Sequence, residues 1–308
     1  MSERRCGFVA VIGAPNAGKS SLVNALVGAK VSIVTHKVQT TRARIRGVAI
    51  EGDTQLVFID TPGVFAPRRR LDRAMVAAAW EAFDGADAAL MMVDAHAYLL
   101  QADAAAKRAA ADADALIEAL KARGRHAILV VNKIDKVARE KLLGLVKSLN
   151  EHGIFEETFL ISALDGDGVA DLKRYLAARM KQGPWMYPED QLSDMSERLM
   201  AAEATREKLY LRLHQELPYE ATVETEGWSR TKKGELRIDQ TIYVAREGQK
   251  GIVVGKGGLT LKAIGAAARA EIATLLGEPV HLFLTVKLRE DWENEPARYR
   301  EMGLDIVE

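Results

Sequence analysis

The sequence predicts an α/β protein of two domains: a mostly parallel sheet with helices on both faces, then a smaller α+β domain. Three observations carry this. Short apolar runs alternate with helix-length segments through about residue 180, the pattern of a parallel sheet covered on both faces. The stretch Gly183-Pro184-Trp185-Met186-Tyr187-Pro188 cannot continue a helix and breaks the alternation. Beyond it the order becomes helix, strand, strand, helix, strand. At 308 residues the chain is also too long for one ordinary core.

Residues 7–12 read as a buried strand and 20–27 as a helix stopping near Gly28. Val48–Ile50 and Leu56–Ile59 read as strands about a Gly52-Asp53 turn. A helix over 71–83, a strand over 88–93 and a long alanine-rich helix over 101–122 follow. Residues 127–131 and 158–162 complete the strands, with helices over 136–151 and 168–181. The second half reads as a helix over 196–216, strands over 220–228 and 235–246, a glycine-rich turn, a helix over 259–276 and a strand over 280–288. The expected domains are 1–182, a linker 183–196, and 197–308 with a charged tail.

Lys plus Arg and Asp plus Glu both number 43, so the formal net charge is zero. A protein gripping nucleic acid by bulk charge is thereby excluded, though a local patch is not. Cys6 is the only cysteine, which rules out an intrachain disulfide and a cysteine metal cluster, and fits a reducing cytoplasm. It reads as a small packing residue. No apolar run approaches the ~20 residues that span a bilayer.

Gly13-Ala14-Pro15-Asn16-Ala17-Gly18-Lys19-Ser20 matches GxxxxGK[ST] between a strand and a helix. Successive backbone N–H groups in such a loop point at a phosphate chain. Lys19 places a positive charge on the β- and γ-phosphates, and Ser20 offers a hydroxyl to Mg²⁺. Asp60-Thr61-Pro62-Gly63 follows the third strand-like run. Its carboxylate can reach Mg²⁺, its glycine N–H can bond a γ-phosphate, and Val64 lines the same loop. Asn132-Lys133-Ile134-Asp135 follows the 127–131 strand, where the Asp135 carboxylate can accept both N1–H and the amino group of guanine. Ser162-Ala163-Leu164 follows the next strand and can give an N–H to the guanine oxygen. All four lie where strands end, the place where open α/β sheets bind ligands. Together they imply GTP and GDP as ligands.

With these motifs in hand, the chain resembles the translation-factor-like small G proteins, and specifically the Era family, over almost its whole length. The second G motif falls in Val38-Gln39-Thr40-Thr41-Arg42. The resemblance implies that one of its threonines binds Mg²⁺. Thr41 is favoured, with Thr40 the alternative. Ras-like proteins carry a water-orienting glutamine where this chain has Val64. An aliphatic side chain cannot orient water, so slow intrinsic turnover is expected, with catalysis assigned to Lys19, Thr41, Gly63 and Asn16. In related G proteins with a matching GxPNxGKS loop the asparagine helps hold K⁺, which is the expectation for Asn16; the alternative is that Asn16 only shapes the loop. Arg42 and Arg44 read as RNA-facing or solvated.

In the second half Gly255-Lys256-Gly257-Gly258 fits the GxxG loop of KH domains, with Lys250, Gly251 and Ile252 just before it. The glycines let backbone approach single-stranded nucleic acid, Lys256 meets phosphate, and Ile252, Val253 and Val254 pack helices and floor a base groove. Lys232, Lys233, Arg237, Arg246, Lys262 and Arg269 extend a basic surface or are individually solvated. The resemblance implies a partner, single-stranded RNA near the 3′ end of 16S ribosomal RNA on the small subunit. It further implies a cytoplasmic monomer, with peripheral contact at the inner face of the membrane left open. The rival reading is an RNA-binding assembly scaffold whose nucleotide is structural. A small-molecule P-loop kinase is disfavoured by the Asn132–Asp135 and Ser162–Leu164 motifs.

Overall fold

Strand β1 (Arg5–Gly13) lies at the middle of a six-stranded sheet of order β2-β3-β1-β4-β5-β6. The structure, a computed structural model, describes residues 4–37, 40–67, 69–213, 217–290, 292, 295, 299 and 302–305. β2 (Ile45–Glu51) is antiparallel to β3 (Thr54–Asp60), which runs parallel to β1. β4 (Ala88–Asp94), β5 (Ala127–Asn132) and β6 (Phe155–Leu160) continue in parallel. Val9, Val11 and Ile12 of β1 are wholly buried on alternate faces because each face carries helices. On one face α1 (Lys19–Val27) and α6 (Val169–Arg179) bring Leu22, Leu26, Leu172 and Leu176 onto Val9, Val11 and Phe58. On the other, α4 (Ala104–Ala122) and α5 (Arg139–Asn150) bring Leu116, Leu120 and Leu145 onto Ile12, Met91 and Leu129. α2 (Arg70–Asp84) adds Phe83 to that second core.

The helix expected over 101–122 is α4, which begins at Ala104, and a short helix that was not expected precedes it. α3 (Ala95–Leu100) ends at Gln101, which is left-handed at φ +43°, and α4 starts after Asp103. The Asp103 carboxylate accepts the Ala106 N–H at 2.7 Å, an N-cap that ends any continuous helix.

The second unit has a three-stranded sheet of β7 (Ala221–Arg230), β8 (Leu236–Val244) and β9 (Val280–Leu288), with β8 central, antiparallel to β7 and parallel to β9. α7 (Glu197–Arg212) and α9 (Leu259–Leu276) supply Leu209 and Ile264 to its core. The glycine-rich turn expected before 259 contains a helix, α8 (Glu247–Val254). Val253 is wholly buried in that core, and its burial outweighs the glycine penalty.

The chain's two compact units depart from the expected boundaries. Met1–Ser32, Thr41–Asp194 and Tyr299–Glu308 form the first; Ile33–Thr40 and Met195–Arg298 form the second. The expected linker is docked on the first unit. Gln55 is fully buried, and its side-chain oxygen accepts Met186 and Tyr187 N–H groups at 2.8 and 3.0 Å. A buried amide demands such partners. The Val48 N–H meets the Leu192 carbonyl at 2.8 Å, so the segment also covers the edge strand β2. The tail likewise returns to the first unit, where the Arg44 N–H meets the Met302 carbonyl at 3.2 Å. Among the described residues no single helix is long and apolar enough to cross a membrane.

Candidate functional site

The turn from β1 into α1 is held open for a ligand by its glycines. Gly18 has φ +99°, and a Cβ there would stand 2.2 Å from the Asn132 amide nitrogen, so no other residue fits. The Lys19 ammonium folds over the loop and donates to the Gly13 and Ala14 carbonyls at 3.1 and 2.9 Å. Pro15 and Ala17 complete the turn, and Asn16 at its tip is left-handed at φ +64° and exposed.

Three oxygens gather beside the loop. The Ser20 hydroxyl donates to the Asp60 carboxylate at 2.7 Å, and the Thr41 hydroxyl lies 2.8 Å from Ser20 and 3.5 Å from Asp60. The second oxygen of Asp60 is buried with no hydrogen-bond partner. A buried carboxylate with one oxygen unsatisfied and the other beside two hydroxyls is the donor set a hard divalent cation takes. Burial pushes the Asp60 carboxyl up and the Lys19 ammonium down to about 8, each partly offset by the other. Both charges therefore gain from counter-charges brought by a ligand.

Of the two candidate threonines the structure brings only Thr41 to this cluster. The Thr40 hydroxyl instead donates to the Lys37 carbonyl at 2.7 Å and lies 2.6 Å from the Thr35 hydroxyl. Val38 and Gln39 of the same motif lie outside the described residues. Arg42 is 2% exposed, so it is neither solvated nor open to RNA as expected. Arg44 pairs with Glu81 at 2.6 Å and serves packing. Thr61 is buried, its hydroxyl donating to the Val11 carbonyl at 2.7 Å. Pro62 and Gly63 are buried too, and a Cβ at Gly63 would stand 3.0 Å from Pro15. Val64 donates its N–H to the Gly13 carbonyl at 3.1 Å while its side chain packs on the second core.

The predicted base-recognition motifs meet at the ends of β5 and β6. Asn132 is buried, donating to the Ala17 carbonyl at 2.8 Å and accepting the Ala163 N–H at 3.0 Å. It ties all three loops together. The Ser162 hydroxyl donates to the exposed Asp135 at 2.9 Å, fixing one carboxylate oxygen. Leu164 is 83% exposed. Lys133, left-handed at φ +64°, donates to the Asn16 carbonyl at 2.9 Å and to Asp94 at 2.5 Å. Asp94 escaped the sequence reading. Its other oxygen caps α3 through the Ala97 N–H at 3.0 Å, and a strand-ending Asp before a helix was the visible signal.

In the second unit α8 ends at Gly255, which has φ +74° and would clash with the Thr260 hydroxyl at 2.2 Å if it carried a Cβ. Gly257 and Gly258 are also left-handed, and Lys256 and Gly257 are exposed. Ile252 is 59% exposed beside this turn, and so is Leu259, at 67%, which the sequence reading missed. Val253 belongs to the core and Val254 packs against it, so of that run Ile252 alone is left for a groove. Gly251 is exposed, and Lys250 lies 3.9 Å from Glu247. The wider basic surface is partly neutralised: Arg237 pairs with Asp239 at 2.8 Å and Arg246 with Glu220 at 3.2 Å. Trp185 packs, with Arg4 over its ring and its indole N–H donating to the Asp53 carbonyl at 3.2 Å.

Comparison with known proteins agrees with this geometry. A family model described as a 50S ribosome-binding GTPase matches residues 8–133, and a KH domain model matches residues 216–293. The chain is 58% identical over 302 residues to the GTPase Era of Afipia carboxidovorans, covering 98% of this chain and 95% of the relative. It is 56% identical over 309 residues to that of Caulobacter vibrioides, covering 99% and 98%. Among solved structures it resembles Era in complex with MgGDPNP and nucleotides 1506–1542 of 16S ribosomal RNA, with a TM-score of 0.88, 36% identity and 97% and 99% of the two chains covered. It resembles equally, at TM-score 0.88 and 35% identity, with the same coverage, a variant of Aquifex aeolicus Era bound to GDP and aluminium fluoride.

Proposed function

The chain belongs to the Era family of GTPases, and from that premise we propose that it binds GTP and GDP with Mg²⁺, hydrolyses GTP, and uses the cycle to control binding of single-stranded RNA at the 3′ end of 16S ribosomal RNA during small-subunit assembly. The observation that carries this reading is the meeting of five separate loops at one end of the sheet: Lys19 and Ser20, Thr41, Asp60, Asp135, and Ser162.

The residues divide the work. Gly13 to Ser20 wrap the phosphate chain with backbone N–H groups, and Lys19 supplies charge. Ser20, Thr41 and Asp60 would hold Mg²⁺, which supplies charge neutralisation across the β- and γ-phosphates when bound. The Gly63 N–H reports the γ-phosphate by bonding it. Asn132 holds the loops in register, the Lys133 stem covers the base, Asp135 reads the guanine edge and Ala163 offers its N–H to the guanine oxygen. In the second unit Gly255 to Gly258 admit the RNA backbone, Lys256 and Lys250 meet phosphates, and Ile252 supports a base.

The Val64 side chain packs inward, so charge stabilisation between the phosphates has to come from elsewhere. Asn16, exposed at the loop tip, is the residue we assign to holding K⁺. Equal hydrolysis rates in K⁺ and Na⁺ at one ionic strength would remove that part. Cytoplasmic action as a monomer, with peripheral contact at the inner membrane face, belongs to the same proposal. The deciding experiment measures GTP hydrolysis with and without the 3′ segment of 16S ribosomal RNA. Stimulation is expected; its absence, with RNA binding intact, favours a scaffold with a structural nucleotide.

A further inference from the structure

Helix α8 has little local reason to form. It is eight residues long, and two of them, Gly248 and Gly251, disfavour a helix. Its buried side chains are Gln249 and Val253, one turn apart on the same face. Val253 is anchored in the apolar core. Gln249 is 9% exposed, and a buried amide needs polar partners instead. Its side-chain oxygen accepts the Arg246 N–H at 2.9 Å, closing the first turn, and its side-chain nitrogen donates to the Glu220 carboxylate. Glu220 stands just before β7, whose first residue, Ala221, is paired with Val244 of β8, two positions before Arg246. The carboxylate is thereby fixed at the end of the sheet where β8 gives way to α8. Its second partner is the Arg246 guanidinium at 3.2 Å, but that side chain is 75% exposed and the pair is screened by water. The anchor is the bond from buried Gln249.

The other end of α8 carries Ile252 and runs directly into the glycine turn. The Gly255 N–H donates to the Gly251 carbonyl at 2.8 Å, and the Gly258 N–H to the Gly255 carbonyl at 3.1 Å. Helix and turn therefore move as one piece. With Val253 as its only anchor α8 could pivot about that side chain; with Gln249 held as well it cannot. We propose that Glu220 is a positioning residue for RNA binding: through Gln249 it fixes the direction in which α8 leaves the sheet, and with it the place of Ile252 and the Gly255–Gly258 turn. The inference rests on the RNA-binding reading and deepens it. Every residue in it belongs to the second unit. A carboxylate near a site for a polyanion has no use as a contact, since it repels phosphate; its use is as an acceptor for a buried donor.

The test uses the full chain with a non-hydrolysable GTP analogue and Mg²⁺ present. Affinity for a labelled RNA of the 3′ segment of 16S ribosomal RNA is compared in wild type, Glu220→Ala and Glu220→Gln, with GDP affinity measured alongside. Charge alone predicts tighter RNA binding by Glu220→Ala, because a negative group is lost and Arg246 is released. Positioning predicts the reverse: RNA affinity weaker by about tenfold, the size of one lost charge-assisted bond, and GDP affinity within about twofold of wild type. Glu220→Gln keeps an oxygen for the Gln249 amide and is expected within about threefold of wild type. RNA binding by Glu220→Ala that is equal or tighter, a matching loss of GDP affinity, or a Glu220→Gln as weak as Glu220→Ala overturns the proposal. If Glu220→Ala fails to fold by circular dichroism, Gln249→Met decides: it keeps the buried volume and removes the donor. The same loss of RNA affinity is expected of it, and an unchanged affinity overturns the proposal. Where both variants fold, the double variant is expected to bind no more weakly than either single one, and additive losses overturn the proposal. Wild type that fails to bind the RNA marks instead a failure of the underlying RNA reading.

Discussion

Lys19 should make nucleotide affinity depend on pH in a range where most ligand groups no longer titrate. Its ammonium is 6% exposed, and burial brings its pKa from 10.5 down to about 8 against the opposing pull of Asp60. Contact with a phosphate chain requires the charged form. The free protein is about nine-tenths charged at this residue at pH 7 and about one-tenth at pH 9, so affinity should fall about tenfold between them. Proton uptake on binding should rise over the same interval from ~0.1 to ~0.9 per site. Isothermal titration of GDP with Mg²⁺ in two buffers of different ionisation enthalpy reads both numbers. The folding sign follows from the same shift. The folded pKa is depressed, so the unfolded chain binds more protons between pH 8 and 10.5, and the ligand-free protein gains stability as pH rises through that window, by up to about 3 kcal/mol. Affinity that stays flat from pH 7 to 9 with no proton uptake would refute the argument.

Three further outcomes follow from single contacts. Asp135→Asn removes two charge-assisted acceptors, so guanosine nucleotides should lose roughly 3–4 kcal/mol of affinity and xanthosine nucleotides should gain; competition binding checks it, and an unchanged preference refutes it. Asp94→Ala strips both the α3 cap and the Lys133 partner, and GDP affinity should weaken about fivefold to tenfold, with loss of order around 95–100 seen by hydrogen exchange. Gly255→Ala puts a Cβ against Thr260 at a left-handed backbone, costing about 1–3 kcal/mol; RNA binding by filter retention should fall while GDP binding is preserved.

The sheet and its ligand end were legible because local signals agreed with tertiary demands. Val9 to Ile12 could hardly be anything but a buried strand, and a glycine loop leading into a helix at Lys19 has few readings. The misses have one physical character: long-range burial overruled local propensity. Gly248 and Gly251 spelled a turn, yet Val253 is wholly buried and pulls the segment into α8. Gly183 and Pro184 spelled a free linker, yet buried Gln55 needs the Met186 and Tyr187 amides. Choosing between Thr40 and Thr41 was beyond any local rule, since both are adjacent threonines in a polar run. The fold decides it by bringing the Thr41 hydroxyl, and not that of Thr40, beside Ser20 and Asp60. Asp94, likewise, carried only a capping signal until the fold brought Lys133 to it.

The position after the third motif separates two models of catalysis. If residue 64 acted on the attacking water, giving it an amide should speed hydrolysis. The Val64 side chain instead packs against the core that contains Ile12, Phe83 and Met91, and its N–H is committed to the Gly13 carbonyl. Val64→Gln must therefore either bury an amide without partners or swing out and expose the core. The second costs about 1 kcal/mol, roughly half the transfer free energy of a valine, and the first costs more. A lowered midpoint in urea with kcat within about twofold of wild type is the expected pair of results. A kcat raised tenfold or more at unchanged stability would mean that the side chain reaches the water, and that the inward packing is not what governs turnover.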